Sequence, residues 1–245
     1  MTTKRAPLLA VHPLTIDRWN DFERLFGPRG ACGGCWCMTP RLTRAEYERS
    51  KGEANHRAMR KLVESGAEPG LLAQLGREPV AWLALAPRAE YRGLLRSRVM
   101  KPVDERPAWA IACVFVAKEH RDRGIASRLI AAALAHARRR DATLVEACPH
   151  EPRDDRMLDL FAWTGIASSF LANGALQVTY GPPEPIAGAS TRVPLGGPIP
   201  RARVRARAHP VRAPGPRNSH GRGTTRPAPE HRAAARAHCA ASRCR

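Results

Sequence analysis

The sequence predicts an α/β domain in which helices cover both faces of a mixed sheet. Two short apolar runs, 70–75 and 79–86, are joined by the tripeptide GRE, which is typical of a β-hairpin. A longer apolar run at 108–117 is followed by an Ala/Leu-rich segment, 125–140, with apolar residues at helical spacing. A second strand and a second helix follow in the same order, and strands that alternate with helices favour a sheet with helices packed against it.

The first third of the chain predicts one strand and two helices. Residues 8–14 (LLAVHPL) are apolar enough to form the first strand, and the aromatic residues of 17–26 (DRWNDFERLF) lie at helical spacing. The segment 43–66 predicts the second helix, because Thr43 and Glu46 have the spacing of a capping box.

The remaining elements follow the hairpin. Residues 89–99 predict a short helix, and 142–149 (ATLVEACP) predict the strand that succeeds the long helix. The segment 163–175 predicts one more helix, and 176–180 predicts a last strand. His136 on the long helix is interpreted as solvated.

Composition divides the chain into two parts. Up to residue 180 there are 28 Lys and Arg against 20 Asp and Glu, whereas 181–245 has 13 Arg, no Lys and 2 Glu. The second part also holds 11 of the 22 prolines and no aromatic residue. Such a segment buries too little apolar surface to offset its ordering entropy. The sequence therefore predicts one domain at 1–180 and a disordered basic tail at 181–245, in which only 190–195 (STRVPL) could supply a replacement strand.

The apolar runs and the cysteines bear on location. The longest apolar stretch, 108–117, is about half of what a membrane span needs. Seven cysteines, five of them before residue 180, do not suggest a disulfide framework. We therefore expect a cytoplasmic protein with no membrane partner.

The turn after the 108–117 strand is the strongest candidate for a binding site. Gly124 and Ala126 leave the backbone bare at the start of a helix, where several N–H groups have no intrahelical acceptor. Arg121, Arg123 and Arg128 add positive charge. These features fit a pyrophosphate, although an ordinary turn with solvated arginines has the same composition.

The pattern R-x-x-G-x-A, between a strand ending in VFVA and a long Ala/Leu helix, resembles the acetyl-CoA-binding motif of the GNAT N-acetyltransferases. The resemblance covers roughly 8–180. The stretches GGCWCM, VAWLALAPRAEY, SRVMKPVD and FAWTGIASSF also resemble a poorly characterised bacterial subgroup of that family. The resemblance implies a mostly antiparallel sheet flanked by helices. It also implies transfer of an acetyl group from acetyl-CoA directly to an amine, on a small molecule or a protein, without a metal.

The resemblance implies two groups of acetyl-CoA-binding residues. The pantetheine arm would contact the main chain of Val114, Phe115 and Val116. The pyrophosphate would lie against Arg121, Asp122, Arg123, Gly124, Ile125, Ala126 and Ser127.

The catalytic residues are less clear from the resemblance. The family often has a tyrosine four residues before the glycine after the last helix, and this chain has Phe170 there, which cannot donate a proton. Cys148 and His150 are candidates for protonating the departing thiolate. Glu146 is the first candidate for the general base and Glu119 the second, with surface carboxylates as the alternative interpretation of both.

The stretch GACGGCWCM places Cys32, Cys35 and Cys37 in the spacing C-x-x-C-x-C. A structural zinc site needs about four ligands, and this loop has three thiols, so we expect no metal. A redox pair is a second possibility, and a structural loop on the acceptor side is the favoured one. In that interpretation Trp36 and Met38 line the acceptor pocket.

The tail carries a rival hypothesis. Its Arg, Ala, Pro and Gly content is typical of an out-of-frame reading of GC-rich DNA. A genuine Arg-rich arm would instead bind nucleic acid non-specifically through phosphates, which would make the protein a non-enzymatic nucleic-acid-binding protein. No aromatic residues interleave the arginines, so stacking on single strands is not expected.

Overall fold

Seven strands form one sheet in the structure, a computed structural model that describes residues 8–97, 100, 102, 104–150, 164–174, 176–179 and 189–195. The strands are β1 (Leu9–Pro13), β2 (Gly70–Leu75), β3 (Glu78–Pro87), β4 (Trp109–Val116), β5 (Leu144–Ala147), β6 (Leu176–Thr179) and β7 (Ala189–Pro194). Their order is β1-β2-β3-β4-β5-β7-β6, and only the β4–β5 pair is parallel. The predicted fold class, a mixed and mostly antiparallel sheet flanked by helices, is confirmed.

Six α-helices accompany the sheet in the described part of the chain. They are α1 (Trp19–Phe26), α2 (Arg44–Ser50), α3 (Glu53–Glu64), α4 (Arg92–Leu95), α5 (Ile125–Arg139) and α6 (Ala167–Leu171). The helix expected at 43–66 is two helices, because the chain breaks at Gly52, whose φ is +78°. The capping box of Thr43 and Glu46 is confirmed.

Two other helices are shorter than expected. The helix predicted at 89–99 is a 3₁₀ turn, Arg88–Glu90, followed by the single turn of α4, and residues 98 and 99 lie outside the described part. The helix predicted at 163–175 is the five-residue α6, with both predicted ends outside the described residues.

The β4 strand has β3 on one side along most of its length, but it has β5 on the other side only at its beginning. It pairs with β3 as far as Val116, and its register skips Ala112, which forms a β-bulge. It pairs with β5 only over Trp109–Ile111. After β5 the chain turns away from β4, and His150 instead exchanges main-chain hydrogen bonds with Gly165 and Ala167 at 2.8 and 3.0 Å. We call the opening between residues 112–116 of β4 and residues 148–150 the strand split.

Each face of the sheet has its own apolar core. The α5 face buries Leu83, Ile111, Leu129, Ala133 and Phe170, among others. The opposite face packs α1, α3 and the cysteine loop against β2, β3 and β4 through residues that include Phe22, Trp36, Met59 and Trp82. Each such large side chain contributes about 1.5–3 kcal/mol when fully buried.

His136 on α5 differs from the sequence interpretation. It is 7% exposed rather than solvated, and its ring lies 6.5 Å from the ring of Trp109. The helix turns this position towards the sheet, because it lies three residues after Ala133 in the buried stripe.

The sheet continues past residue 180, where the sequence analysis ends the domain. The segment 190–195, which the sequence analysis names as a possible replacement strand, overlaps β7. This strand lies between β5 and β6 and pairs antiparallel with both. Residues 196–245, with most of the expected disordered tail, lie outside the described residues. Within the described part of the chain, every helix is too short or too polar to cross a bilayer.

Candidate functional site

The turn between β4 and α5 leaves its backbone accessible. Asp122 and Gly124 both have left-handed backbone angles, with φ of +58° and +68°, and α5 begins at the next residue after Gly124. A Cβ atom added to Gly124 would meet no atom of the described residues within 4 Å. The space beside this backbone is therefore open to a ligand.

The first turn of α5 suits an anion. It has no acidic residue and, among the described residues, no side-chain cap, so the N–H groups of Ile125, Ala126 and Ser127 are available to solvent or a ligand. Arg123 and Arg128 are exposed beside it. These are the features of a phosphate-binding helix start.

Two side chains tie this turn to its neighbours. The guanidinium Nε of Arg121 donates to the carbonyl oxygen of Val116 at 3.1 Å, so the first arginine of the motif closes the end of β4. Asn173, which follows α6, donates through Nδ2 to the carbonyl oxygen and the hydroxyl oxygen of Ser127, both at 3.0 Å. It also donates to the carbonyl oxygen of Ser169 at 2.7 Å. No local pattern predicts the contact of Asn173 with Ser127, because the two residues are 46 positions apart and only the fold brings them together.

The three residues assigned to the pantetheine arm form one wall of the strand split. Val114 is 8% exposed and packs in the α5 face, whereas Phe115 packs on the other face with its ring 5.7 Å from that of Phe26. Because β5 pairs with β4 only as far as Ile111, the edge of β4 at these residues has no strand partner on that side among the described residues, which an added strand would require.

Glu146 lies in a buried ion network at the closed end of the strand split. It is 3% exposed and pairs in register with Ala110 of β4. One carboxylate oxygen accepts from Nη1 of Arg88 at 3.1 Å, and the other accepts from Nε and Nη2 of Arg192 at 3.0 and 2.6 Å. Both oxygens are thus occupied by guanidinium groups, which is unfavourable for the proposed general base.

Asp104, which is exposed, is the fourth charged residue of this network. Arg192 Nη1 donates to its carboxylate at 2.8 Å and holds the pKa of Asp104 far below its usual range. The same contact raises the pKa of Arg192. Sequence analysis missed both arginines of this network. Arg88 directly follows an apolar strand, where a surface arginine is common, and Arg192 is one of 13 arginines after residue 180.

The other three polar candidates are spread along the split. Glu119 is exposed in a 3₁₀ turn that follows the end of β4. The strand from Ile111, the last residue paired with β5, to Val116 is itself about 17 Å long. Cys148 lines a small cavity at the split, and the side chain of His150 is exposed. The structure brings Cys148 close to Glu146 but not to Glu119.

Phe170 is part of the core. It is 1% exposed, and a Cβ added to Gly165 would lie 2.8 Å from its ring and 3.3 Å from a methyl group of Val114. The ring therefore packs in the core on the α5 face, close to Gly165 and Val114.

The cysteine loop packs against the sheet. Trp36 and Met38, expected to line an acceptor pocket, are each 7% exposed and belong to the core opposite α5. Trp36 stacks on Phe26 with ring centroids 5.7 Å apart. Gly30 lies against the indole ring of Trp36. A larger residue does not fit there, because an added Cβ would be 2.3 Å from the indole nitrogen.

The thiols of this loop interact with one another. A hydrogen bond with the Cys37 thiol, together with burial, raises the pKa of Cys35 well above its usual value. Burial, and then contact with Cys113 of β4, raises the pKa of Cys37. Such thiols stay protonated and are weak nucleophiles. Among the described residues, no cluster of three or more His, Cys, Asp or Glu is arranged to hold a metal ion.

Comparison with known proteins places this geometry in a family. The model of the acetyltransferase (GNAT) family matches residues 36–165, which is just over half of the chain. A search of curated proteins gave no match.

Several solved structures are similar at low identity. A protein from Corynebacterium glutamicum, titled histone acetyltransferase HPA2 and related acetyltransferase, is 16% identical over 79% of this chain and 98% of its own, with a TM-score of 0.44. The GNAT family N-acetyltransferase YhbS from Escherichia coli, solved with CoA, is 13% identical over 80% of this chain and 86% of its own, also with a TM-score of 0.44. A GCN5-related N-acetyltransferase from Kribbella flavida is 17% identical over 72% of this chain, with a TM-score of 0.41, and this chain spans only 35% of its length.

The match includes the β2–β3 hairpin, the strand split, the β4–α5 turn and the start of α5. The chain belongs to the GNAT family of acetyltransferases.

Proposed function

We propose that the protein transfers the acetyl group of acetyl-CoA directly to an amine acceptor. The observation that carries this proposal is the open, positively charged and uncapped start of α5 at the end of β4. The amides of Ile125, Ala126 and Ser127 would hold the pyrophosphate, with charge from Arg123 and Arg128. The main chain of 114–116 would hold the pantetheine arm along the strand split.

This arrangement leads the thioester to the closed end of the split, beside Ala112 and Cys148. The acceptor nitrogen attacks the thioester carbon there, the carbonyl electron pair moves to oxygen, and the intermediate then expels the thiolate of CoA. No covalent bond to the enzyme is needed, so orientation and electrostatic stabilisation supply the rate enhancement.

The proton transfers need groups other than Phe170. The phenyl ring has no proton to give, whereas Cys148 lines the small cavity at the strand split, so we assign Cys148 as the group that protonates the thiolate. Glu146 accepts three hydrogen bonds from guanidinium groups, so we assign it a positioning role. The acceptor amine would then lose its proton to solvent water.

Calorimetry with acetyl-CoA tests the proposal. We expect saturable binding with one site per chain, weakened by added CoA as a competitor. A panel of polyamines, amino acids and peptides with free amino groups would then be assayed for release of the CoA thiol. Absence of acetyl-CoA binding to the folded protein would refute the proposal.

The rival function, nucleic-acid binding by the tail, needs a deletion placed by the structure. Removal of 181–245 would also remove β7 and Arg192, so the deletion should cover 196–245 only. The shortened protein should retain acetyl-CoA binding. Retained enzyme activity together with loss of nucleic-acid binding would show that the tail has a separate function.

A further inference from the structure

A cavity of about 10 Å³ lies at the closed end of the strand split, which is about the volume that a single water-sized group requires. β4 and β5 both border it, at the point where they part. Its lining comprises Arg88, Leu94, Met100, Ala110, Ile111, Ala112, Glu146, Ala147, Cys148 and Thr164. Arg88 is the only cationic side chain in that lining, and most of the rest is apolar.

The Arg88 guanidinium is fixed by two hydrogen bonds, but one of its three nitrogens has no acceptor among the described residues. Nη1 donates to Glu146, and Nη2 donates to the carbonyl oxygen of Met100. Its Nε is buried and has no acceptor among the described residues. A buried donor of a charged group is costly to leave without a partner, so this nitrogen is a feature that calls for a ligand atom.

The acetyl-CoA path of the proposed function leads to this cavity. Residues 114–116 carry the pantetheine arm towards Ala112, and the cavity begins where that wall meets β5. A space of one water-sized group cannot accept an acceptor side chain or a carboxylate. It can accept one oxygen atom, and the thioester carbonyl oxygen is the atom that gains negative charge in the reaction.

We propose that Arg88 is a catalytic residue whose Nε–H donates a hydrogen bond to the carbonyl oxygen of the acetyl group. This inference rests on the proposed function. When the amine nitrogen bonds to the carbonyl carbon, the electron pair of the C=O double bond moves to oxygen, where Arg88 stabilises it. When that pair re-forms the double bond, the C–S bond breaks, and its electrons leave with the sulfur, which takes up a proton.

Glu146 has a clear task in this arrangement. Its carboxylate orients Arg88 by accepting from Nη1, while Arg192 and Asp104 hold the carboxylate from the other side. The network contains two cations and two anions, so Arg88 is placed at the cavity without a net excess of buried charge. The residue predicted to be the general base therefore acts as a positioning residue for the group that contacts the substrate.

Infrared spectroscopy of bound acetyl-CoA, labelled with ¹³C at the carbonyl, tests this assignment without an acceptor. A hydrogen bond from a guanidinium weakens the C=O bond. We expect a lower carbonyl stretching frequency in the wild-type complex than for free acetyl-CoA, and a return towards the free value in Arg88→Gln. Arg88→Lys keeps the charge but lacks the planar fork, so it should recover only part of the shift. The slow transfer of the acetyl group to water should fall by about 10²–10³-fold in Arg88→Gln.

Arg41→Gln is the matched control. Arg41 has a side chain of the same 9% exposure, an ion pair with Glu90 at 2.7 Å and a buried Nη2 with no acceptor among the described residues, but it is not in the cavity lining. Its loss should lower the melting temperature and leave the carbonyl frequency of bound acetyl-CoA unchanged.

The outcomes separate this inference from the proposed function. If calorimetry detects no acetyl-CoA binding, both fail. If acetyl-CoA binds but its carbonyl frequency in the wild-type protein equals the free value, the role of Arg88 alone is refuted, whether or not Arg88→Gln folds. A folded Arg88→Gln protein with the wild-type frequency would refute it equally.

Discussion

Asn173 holds Ser127 by two oxygen atoms at once, since its amide nitrogen lies 3.0 Å from both the carbonyl oxygen and the hydroxyl oxygen. Because the hydroxyl accepts this bond, its own proton can point to a ligand at the start of α5. The contact therefore couples Asn173, which follows α6, to the proposed pyrophosphate position, although the two residues are 46 positions apart.

Asn173→Ala should accordingly weaken acetyl-CoA binding. A hydrogen bond of this kind contributes about 1 kcal/mol, which corresponds to about fivefold in the dissociation constant measured by calorimetry. Ser127→Ala should produce a similar loss, and the double variant should lose little more than either single variant. Fully additive losses would show that Asn173 does not act through Ser127.

Gly124→Glu should abolish acetyl-CoA binding while the protein remains folded. The added side chain has open space at its Cβ, so the folding cost is mainly that of the left-handed backbone, about 1–2 kcal/mol. Its carboxylate would lie at the proposed phosphate position. Gly66→Glu is the matched control, since Gly66 has a φ of +83° and an added Cβ there would meet no described atom within 4 Å. If both variants bind acetyl-CoA equally in calorimetry, the phosphates lie elsewhere.

Phe170→Tyr should lower stability without raising turnover. The ring is 1% exposed and closely packed against Gly165, so the new hydroxyl would be buried without a partner, at a cost of about 1–3 kcal/mol. Thermal melts and a thiol-release assay on the same preparation measure both quantities. Phe22→Tyr, in the opposite core, provides a comparison for the stability effect alone. An increase in kcat at unchanged Tm would restore the proton-donor role of this position.

His136 should make stability fall in mild acid. Burial lowers its pKa below the ordinary value of 6.5, and this effect outweighs the opposing attraction of Glu68, which lies 3.5 Å away. Arg140 and Arg139 lower the pKa further. Because the unfolded chain then binds more protons than the folded one, stability is fully present above about pH 6.5. It is lost as the pH falls from there to the folded pKa, at no more than about 1.4 kcal/mol per pH unit.

Denaturant titrations at several pH values between 5 and 8 measure this effect. His136→Gln should show a flatter profile than the wild type over that range, with the rest of the pH dependence unchanged. A steeper loss in acid for the variant would mean that the charged form of His136 stabilises the folded state.

The sequence predicted the sheet elements well because their signals are local. The apolar run at 108–117 and the GRE turn lie within segments of ten residues or fewer, and the structure has β4 and the hairpin there. The break at Gly52 inside an apparently continuous helix was missed. Its cause is tertiary, since the amide of Gly52 donates to the carbonyl oxygen of Gly34 at 2.9 Å, and an added Cβ at Gly34 would lie 2.5 Å from that amide nitrogen.

The site was predictable only where main-chain geometry defines it. Gly124 marks a turn that the pattern R-x-x-G-x-A identifies, because a bare backbone at a helix start is visible in one short segment. Glu146, Arg88 and Arg192 come from three separate parts of the chain, and their pairing depends on the register of β3, β5 and β7. A carboxylate that is surrounded by guanidinium groups and one that faces a substrate have the same appearance in a sequence.

The short pairing between β4 and β5 has a consequence for how the molecule opens. Three residue pairs join these strands, whereas β3 and β4 share seven, so the sheet has a seam between β1–β4 and β5–β7. Local opening follows such weakly bonded boundaries, and amide hydrogens of β5 should exchange with solvent through a smaller fluctuation than those of β3. A ligand bonded to both walls of the split would supply hydrogen bonds that the seam lacks. Occupancy of the site should therefore slow the exchange of the β5 amide hydrogens.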